Sequence, residues 1–243
     1  MGDTIYKIAR EKAGIIKECP KVIVADSDSE FLKAVNEEKA KVINVLEKYK
    51  DAEEKLDFEK FITEIKIDGD IFEFSLFGDY QFKNFLCAYE AALELKIPKE
   101  IIKKASRKVE WQCRFERYSI NPLVVLDGAH NPDGMLELKK VIEKGYKSEE
   151  VVAIVSMLKD KDVKSMLKIL KSVSSTLILT SLAENPRGTF GDEIYNQLSD
   201  VEGCSVENDL MKAYKNALAM NKKVILICGS FYLLSKFKEE INE

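Results

Sequence analysis

The only histidine of the chain, His130, lies in the segment LDGAHNPDGM, residues 126–135. The apolar run PLVVL precedes it, and a helix-like pattern follows it. In an open α/β sheet, ligands bind beyond the carboxyl ends of the strands, and Asp127 occupies such an end. A carboxylate there can hold a cation or a hydroxyl group, and an imidazole can donate to a phosphate or a base. The pair indicates a ligand-binding crevice; the alternative is a histidine that only caps its own loop.

The residues that surround His130 predict an anion-binding helix end. Asn131 followed by Pro132 is typical of an N-cap and the first helical residue. Free N–H groups and partial positive charge at a helix N-terminus favour phosphate. Gly128 is expected to let the backbone pass close to that ligand.

Three further segments carry polar side chains with two possible roles each. Asp160, with Lys161 and Asp162, either contacts substrate or begins a charged helix. Arg187 lies in the loop segment NPRGTF and either binds substrate or is a solvated loop residue. Ser230 follows Gly229 at a strand end, where it either binds an anion or caps the next helix.

The elements that must position these residues alternate regularly from about residue 119 onward. Strand-like apolar runs separated by helical patterns predict a mostly parallel sheet covered on both faces. We therefore predict a Rossmann-like α/β domain. Its strands are 122–127, 151–156, 175–180, 204–207 and 223–228, and its helices are 132–144, 161–172, 191–199, 208–220 and 230–241.

The first half of the chain predicts an incomplete α/β part. It offers one parallel-type strand, residues 21–26, and a hairpin over 63–78 around the Asp68-Gly69 turn signal. Helical spacing predicts helices over 4–17, 28–49, 81–95 and 98–108. The segment WQCRFERYS, residues 111–119, separates this half from the next.

Composition narrows the class of protein. The 243 residues include 38 basic and 42 acidic side chains, for a formal charge of −4. This mild acidity gives no support for binding nucleic acid or a membrane, and no apolar run approaches the roughly 20 residues that span a bilayer. The five cysteines are scattered without a CxxC pair, which favours free thiols in a reducing compartment. We expect a cytoplasmic monomer.

The segment LDGAHNPDG resembles the signature that opens the C-terminal domain of the folylpolyglutamate synthases, including the bifunctional dihydrofolate synthases, within the Mur ligase superfamily. Further segments resemble that family in the same order: TIYKIAREKAGIIK, LFGDYQFKN, CRFE, SMLKDKD, NPRGTF and CGSFYLL. The resemblance implies that residues 1–113 are the C-terminal part of the central ATPase domain. Residues 114–243 would then be the C-terminal glutamate ligase domain.

The resemblance also implies a reaction. ATP phosphorylates the terminal carboxylate of a folate, and the amine of L-glutamate attacks the acyl phosphate; the cofactors are ATP and Mg²⁺. Among the matching residues, Arg114, Asp127 and His130 would lie at the nucleotide between the two domains, with Asn84 on the other domain. Lys12 matches a lysine that is carbamylated in the family, which would make it a catalytic residue and a metal ligand, beside catalytic His130. Substrate contacts would come from Asp160, Arg187 and Ser230.

At three places the sequence differs from the pattern of the family. Tyr80 stands where the family has histidine, and Phe85 where it has alanine. The sequence contains no Gly-Lys-Ser or Gly-Lys-Thr phosphate loop. We therefore expect a C-terminal portion whose partner is a missing N-terminal half and which is inactive alone. The alternatives are a non-catalytic nucleotide-binding module and a related Mur-type peptide or amino-acid ligase.

Overall fold

The computed structural model describes residues 3–198 and 202–241. The chain divides into two compact units. Unit 1 comprises residues 1–75 and 79–109, and unit 2 comprises residues 76–78 and 110–243. The long segment of unit 2 therefore begins after Val109, whereas the sequence predicts a boundary after Cys113.

Unit 1 contains two small sheets and five helices among its described residues. Its elements are α1 (Ile5–Ala13), β1 (Lys21–Val24), α2 (Ser29–Asn36), β2 (Lys41–Asn44), α3 (Val45–Lys48), β3 (Glu53–Asp57), β4 (Ile62–Ile67), β5 (Asp70–Phe74), α4 (Tyr80–Glu94) and α5 (Lys99–Ser106). Strands β1 and β2 pair in parallel, and β3, β4 and β5 form an antiparallel sheet in that order. The predicted hairpin is confirmed as β4–β5, where Asp68 and Gly69 both have positive φ, as a two-residue turn requires.

The single helix predicted over 28–49 is wrong. Helix α2 ends at Asn36, and β2 follows it with Val42 and Ile43 opposite Val22 and Ile23 of β1. Short apolar runs fit a helix or a buried strand equally well by spacing alone. The β-branched residues are better accommodated in the strand because a parallel partner is present. Unit 1 thus has two parallel strands, where the sequence predicted one, and a further strand, β3, that was not predicted.

The described residues of unit 2 form one six-stranded sheet. Its elements are β6 (Glu116–Ile120), β7 (Leu123–Asp127), α6 (Pro132–Gly145), β8 (Val151–Val155), α7 (Val163–Lys171), β9 (Thr176–Leu179), α8 (Gly191–Tyr195), β10 (Cys204–Val206), α9 (Leu210–Ala219), β11 (Val224–Cys228) and α10 (Phe231–Glu240). The spatial order is β10-β9-β8-β11-β7-β6, and all neighbours are parallel except β6 and β7.

The predicted α/β fold with a mostly parallel sheet is confirmed. Strands β8 and β11 are buried along their whole length because each lies between two other strands under helices. The second part of the segment predicted to separate the two halves, 111–119, belongs to β6, an antiparallel edge strand. Helix α8 ends at Tyr195, short of its predicted end, and residue 199 lies outside the described residues.

The last strand in the chain, β11, inserts between β8 and β7. Its carboxyl end therefore lies beside Asp127, since Cys228 is the register partner of that residue. This order brings the start of α10 next to the loop that carries His130. Among the described residues, no helix combines the length and the apolar character that a membrane crossing needs.

Candidate functional site

Strand β7 and helix α6 position the histidine loop. Strand β7 ends at Asp127, and α6 begins at Pro132. Asn131 caps the helix, with its Oδ1 accepting a hydrogen bond from Gly134 N at 2.7 Å. The predicted N-cap is thus confirmed, and residues 128–131 form the connection between strand end and helix start.

A cavity of about 550 Å³ lies over this connection. This volume falls in the range of small-ligand sites, roughly 300–1,000 Å³. Its wall combines the histidine loop, the exposed face of the first turns of α6 and one arginine that precedes β6. The lining residues are Arg114, Gly128, Ala129, His130, Asn131, Asp133, Gly134, Leu136, Glu137 and Lys140.

His130 is half-buried; it bonds to its own loop and also lines the cavity. Its Nδ1 lies 2.8 Å from the carbonyl oxygen of Gly128, so Nδ1 carries the hydrogen and donates to that oxygen. The ring also lines the cavity. The second nitrogen, Nε2, then accepts a hydrogen bond in the neutral ring and donates one in the protonated ring.

Gly128 lines the cavity and also lies against an aromatic side chain. A Cβ atom at this position would lie 2.4 Å from Cε1 of the Phe231 ring. Phe231 begins α10 and also faces His130, with 5.7 Å between the ring centroids. The close approach at Gly128 therefore accommodates an aromatic side chain of the protein.

Arg114 lies in a tight turn with unusual backbone angles. Cys113 and Phe115, its two neighbours, have φ values of 62° and 45°. L-residues other than glycine rarely adopt this left-handed region. The Arg114 guanidinium carbon lies 5.9 Å from the Phe231 ring centroid, a cation–π distance. Arg114 and His130, which both line the cavity, thus flank the same aromatic ring.

Asp127 lies beneath the cavity wall and is 5% exposed. Its Oδ1 accepts from Ala129 N and its Oδ2 from Phe115 N, each at 2.8 Å. Burial raises the pKa of this carboxyl from 3.8 to about 6, against the lowering effect of the two N–H donors and of Arg114 and His130. The structure therefore brings Arg114, Asp127 and His130 together, with Asp127 behind the other two.

Sequence reasoning missed three charged side chains that line the cavity and one aromatic ring beside it. Asp133, Glu137 and Lys140 lie on one face of α6, and Lys140 Nζ pairs with Glu137 Oε1 at 2.6 Å. Their spacing of three and four residues could have revealed this shared face. Phe231 could not be found in this way, because it reaches the site only through the position of β11 in the sheet.

The three predicted substrate residues lie elsewhere in unit 2, outside the lining of this cavity. The Asp160 carboxylate lies 3.7 Å from Arg187 and 3.2 Å from Lys161, so two predicted residues form one exposed cluster. Asp162 caps α7 by accepting from Ser165 N at 3.1 Å. Ser230 is 2% exposed and caps α10 by accepting from Tyr232 N at 3.2 Å.

The remaining predicted residues, Lys12 and Asn84, belong to unit 1 and are exposed. Lys12 lies in the last turn of α1. Asn84 lies on α4 and donates to Gln81 Oε1 at 3.1 Å. Phe85, where the family has alanine, stacks on Tyr89 at 5.9 Å between ring centroids and helps to fill an aromatic core.

The part of the chain that holds the cavity matches a known protein family. The family model described as Mur ligase, glutamate ligase domain, matches residues 113–231. A dihydrofolate synthase/folylpolyglutamate synthase of Bacillus subtilis is 29% identical over 258 residues, which cover 100% of this chain and 59% of that protein. The chain thus spans less than two thirds of that relative.

Solved structures agree on the fold. A Mycobacterium tuberculosis folylpolyglutamate synthase complexed with ADP matches with a TM-score of 0.82 and 19% identity, over 100% of this chain and 60% of that chain. A bifunctional synthase from Yersinia pestis, complexed with AMPPNP and a Mn ion, matches with a TM-score of 0.79 and 21% identity, over 100% and 58%. Residues 113–231 therefore match the glutamate ligase domain of the Mur ligases, and the chain is similar to a C-terminal portion of the folylpolyglutamate and dihydrofolate synthases.

Proposed function

We propose that this chain is the C-terminal portion of an ATP-dependent ligase that adds L-glutamate to a folate through an acyl phosphate. The product would be a folylpolyglutamate, and dihydrofolate synthesis is a further possible activity of the same site. The observation that carries the proposal is the 550 Å³ cavity that Arg114, His130 and the start of α6 form inside the glutamate ligase domain. The name of the Bacillus subtilis relative and the nucleotides in the two solved structures support it.

The cavity wall suits a nucleotide phosphate. The guanidinium of Arg114 offers charged donors in a planar fork, which binds phosphate oxygens in pairs. The first turn of α6 adds free N–H groups and the positive end of a helix dipole. His130 lines this region, and the Nδ1 bond to the carbonyl oxygen of Gly128 orients its ring. Asp127, which lies behind Arg114 and His130, and Asn84 are proposed as further residues that bind the nucleotide.

The proposed cation is Mg²⁺, which in proteins is usually held by one or two carboxylates together with substrate phosphates. Within residues 3–198 and 202–241, no group of three His, Cys, Asp or Glu side chains is placed to hold a metal. Lys12, if carbamylated, would supply a carboxylate to that cation and serve with His130 in catalysis.

Asp160, Arg187 and Ser230 are proposed as contacts of folate and glutamate. Arg187 suits a substrate carboxylate, because its present partner, Asp160, lies 3.7 Å away on an exposed surface and can be displaced. We also propose a cytoplasmic location, since all five cysteines are free thiols. A monomeric state and a separate N-terminal half as partner remain predictions.

A second candidate function is a nucleotide-binding module without catalysis. It is favoured by the sequence itself, which contains no Gly-Lys-Ser or Gly-Lys-Thr loop to cradle the transferred phosphate. Both functions require nucleotide in the same cavity. They differ in whether a complementary polypeptide restores ligase turnover.

Isothermal titration of the purified chain with ADP tests the shared requirement. Arg114→Ala and His130→Ala should each raise the Kd for ADP by about tenfold or more, as expected for lost charge-assisted hydrogen bonds. Arg107→Ala is the matched control, because Arg107 forms a surface ion pair with Glu73 at 2.9 Å in unit 1. Equal affinity for ADP in all four proteins would refute the proposed site.

A further inference from the structure

We propose that Phe231 is a positioning residue, whose aromatic ring holds the Arg114 guanidinium at the cavity wall and leaves its hydrogen-bond donors free. This inference rests on the proposed function, because a prepared arginine matters only if the cavity receives a phosphate. It concerns a side chain that lies beside the cavity lining and that offers no polar group to a ligand.

The Arg114 side chain is exposed and has few restraints. Within residues 3–198 and 202–241, its guanidinium forms no hydrogen bond and no ion pair. The contact that remains is with the Phe231 ring, whose centroid lies 5.9 Å from the guanidinium carbon. An exposed arginine without such a contact samples many rotamers, and a ligand that orders it must offset the lost side-chain entropy.

An aromatic ring suits this task better than a carboxylate would. The negative face of the ring attracts a guanidinium, and such pairs are separated by up to about 6 Å. A carboxylate would occupy two of the five N–H donors of Arg114 in a bidentate pair and would oppose its charge. The ring of Phe231 leaves both the donors and the charge of Arg114 available to a phosphate.

The Phe231 ring is itself held in place by its own helix and by the histidine loop. Phe231 is the first residue of α10, and the side chain of Ser230 caps this helix. The ring packs so closely over Gly128 that a Cβ atom there would lie 2.4 Å from its Cζ. Its centroid also lies 5.7 Å from that of His130. One ring therefore sets the spacing between His130, which follows β7, and Arg114, which precedes β6.

A double-mutant cycle tests this role. The variants are Phe231→Leu, Arg114→Ala and the double variant, and isothermal titration measures the Kd for ADP. Phe231→Leu keeps an apolar side chain over Gly128 but removes the aromatic face. It should raise the Kd about fivefold when Arg114 is present and less than about twofold in Arg114→Ala. Tyr146→Leu is the matched control, because it removes another cation–π pair of unit 2, with Lys223 Nζ at 5.4 Å, outside the cavity lining.

Equal losses in both backgrounds would overturn the proposal, because they would show that the Phe231 ring contacts the nucleotide directly or only supports the fold. Tyr146→Leu should leave the Kd for ADP unchanged, and a loss as large as that of Phe231→Leu would also contradict the proposal. Should Phe231→Leu fail to fold, Phe231→Met takes its place in the cycle, since methionine adapts to irregular space and likewise lacks an aromatic face.

A measurement without nucleotide separates this inference from the proposed function. The NMR order parameter of the Arg114 Nε–H group reports how tightly this side chain is held on the picosecond to nanosecond timescale. Phe231→Leu should lower it into the flexible range, below about 0.6, whereas Tyr146→Leu should leave it unchanged. A lowered order parameter in a chain that does not bind ADP would refute the proposed function and leave the positioning role standing. An unchanged order parameter in Phe231→Leu would overturn the positioning role.

Discussion

The buried carboxyl of Asp127 should give the folded protein a characteristic pH dependence. Its pKa is raised to about 6 in the folded state by burial, against 3.8 for the ordinary group. The folded state then binds this proton more tightly than the unfolded state does between these two values. The free energy of unfolding should therefore decrease as the pH rises through this window.

The size of the effect follows from the same two values. One pH unit of difference in pKa corresponds to about 1.4 kcal/mol, so the interval from 3.8 to about 6 corresponds to about 3 kcal/mol. Asp127→Asn removes the titrating group and leaves the others in place. The free energy of unfolding of the unmodified chain, minus that of Asp127→Asn, should fall by about 2 kcal/mol between pH 4 and pH 7, since part of the full change lies below pH 4.

Urea unfolding at pH 4, 5, 6 and 7, followed by circular dichroism, measures this difference, because contributions of all other groups cancel between the two proteins. Hydrogen exchange of β7 and β11 amides gives the same quantity for unit 2 alone. A difference that rises with pH would refute the reasoning. It would mean that the N–H donors of Phe115 and Ala129, with Arg114, outweigh burial and lower the pKa of Asp127.

Two substitutions and one activity assay have expected outcomes. Gly229→Ala should lower the free energy of unfolding by about 2 kcal/mol or more, because backbone strain and a steric clash add together. Gly229 has a φ of 107°, and a Cβ atom there would lie 2.5 Å from Ser156 O. Thermal unfolding measures this loss of stability. Ser156→Ala should stabilise the fold by about 1 kcal/mol, since the buried Ser156 hydroxyl has no hydrogen-bond partner among the described residues. The control Ser174→Ala should destabilise the fold, because the Ser174 hydroxyl donates to Val151 O. A lower melting temperature for Ser156→Ala would contradict the prediction. The purified chain should show no turnover with ATP, Mg²⁺, a folate and L-glutamate, because phosphoryl transfer depends on positioning and charge stabilisation that a phosphate loop supplies. Addition of an N-terminal half in trans should restore turnover in the same assay.

The alternating fold of unit 2 could be predicted because each of its main strands is an uninterrupted apolar run with a helix after it. Strand β6 was missed since its residues, ERYSI, are polar and half-exposed at a sheet edge. Strand β2 was missed because its apolar residues also fit a helix, and its partner β1 lies about twenty residues earlier in the chain. In both cases pairing with a distant segment decided the structure, and no local pattern encodes that pairing.

In the candidate site, too, local features could be predicted and contacts between distant segments could not. The strand end at Asp127, the loop of His130 and the cap at Asn131 are local features, and the sequence predicted all three. The approach of Phe231 to Gly128 depends on the insertion of β11 between β8 and β7. The bond between Asp127 and Phe115 depends on the return of the chain through β6 and β7. Neither contact has a signal in residue spacing.

The most direct test of the proposed nucleotide site is an NMR titration of the ¹⁵N-labelled chain with ADP. The proposal predicts that the largest amide shifts cluster at Arg114, at residues 128–134 and at Lys140, which together line the cavity. These shifts should disappear in Arg114→Ala. Shifts centred on Asp160 and Arg187, or no saturable shifts at all, would contradict the assignment of this cavity to a nucleotide.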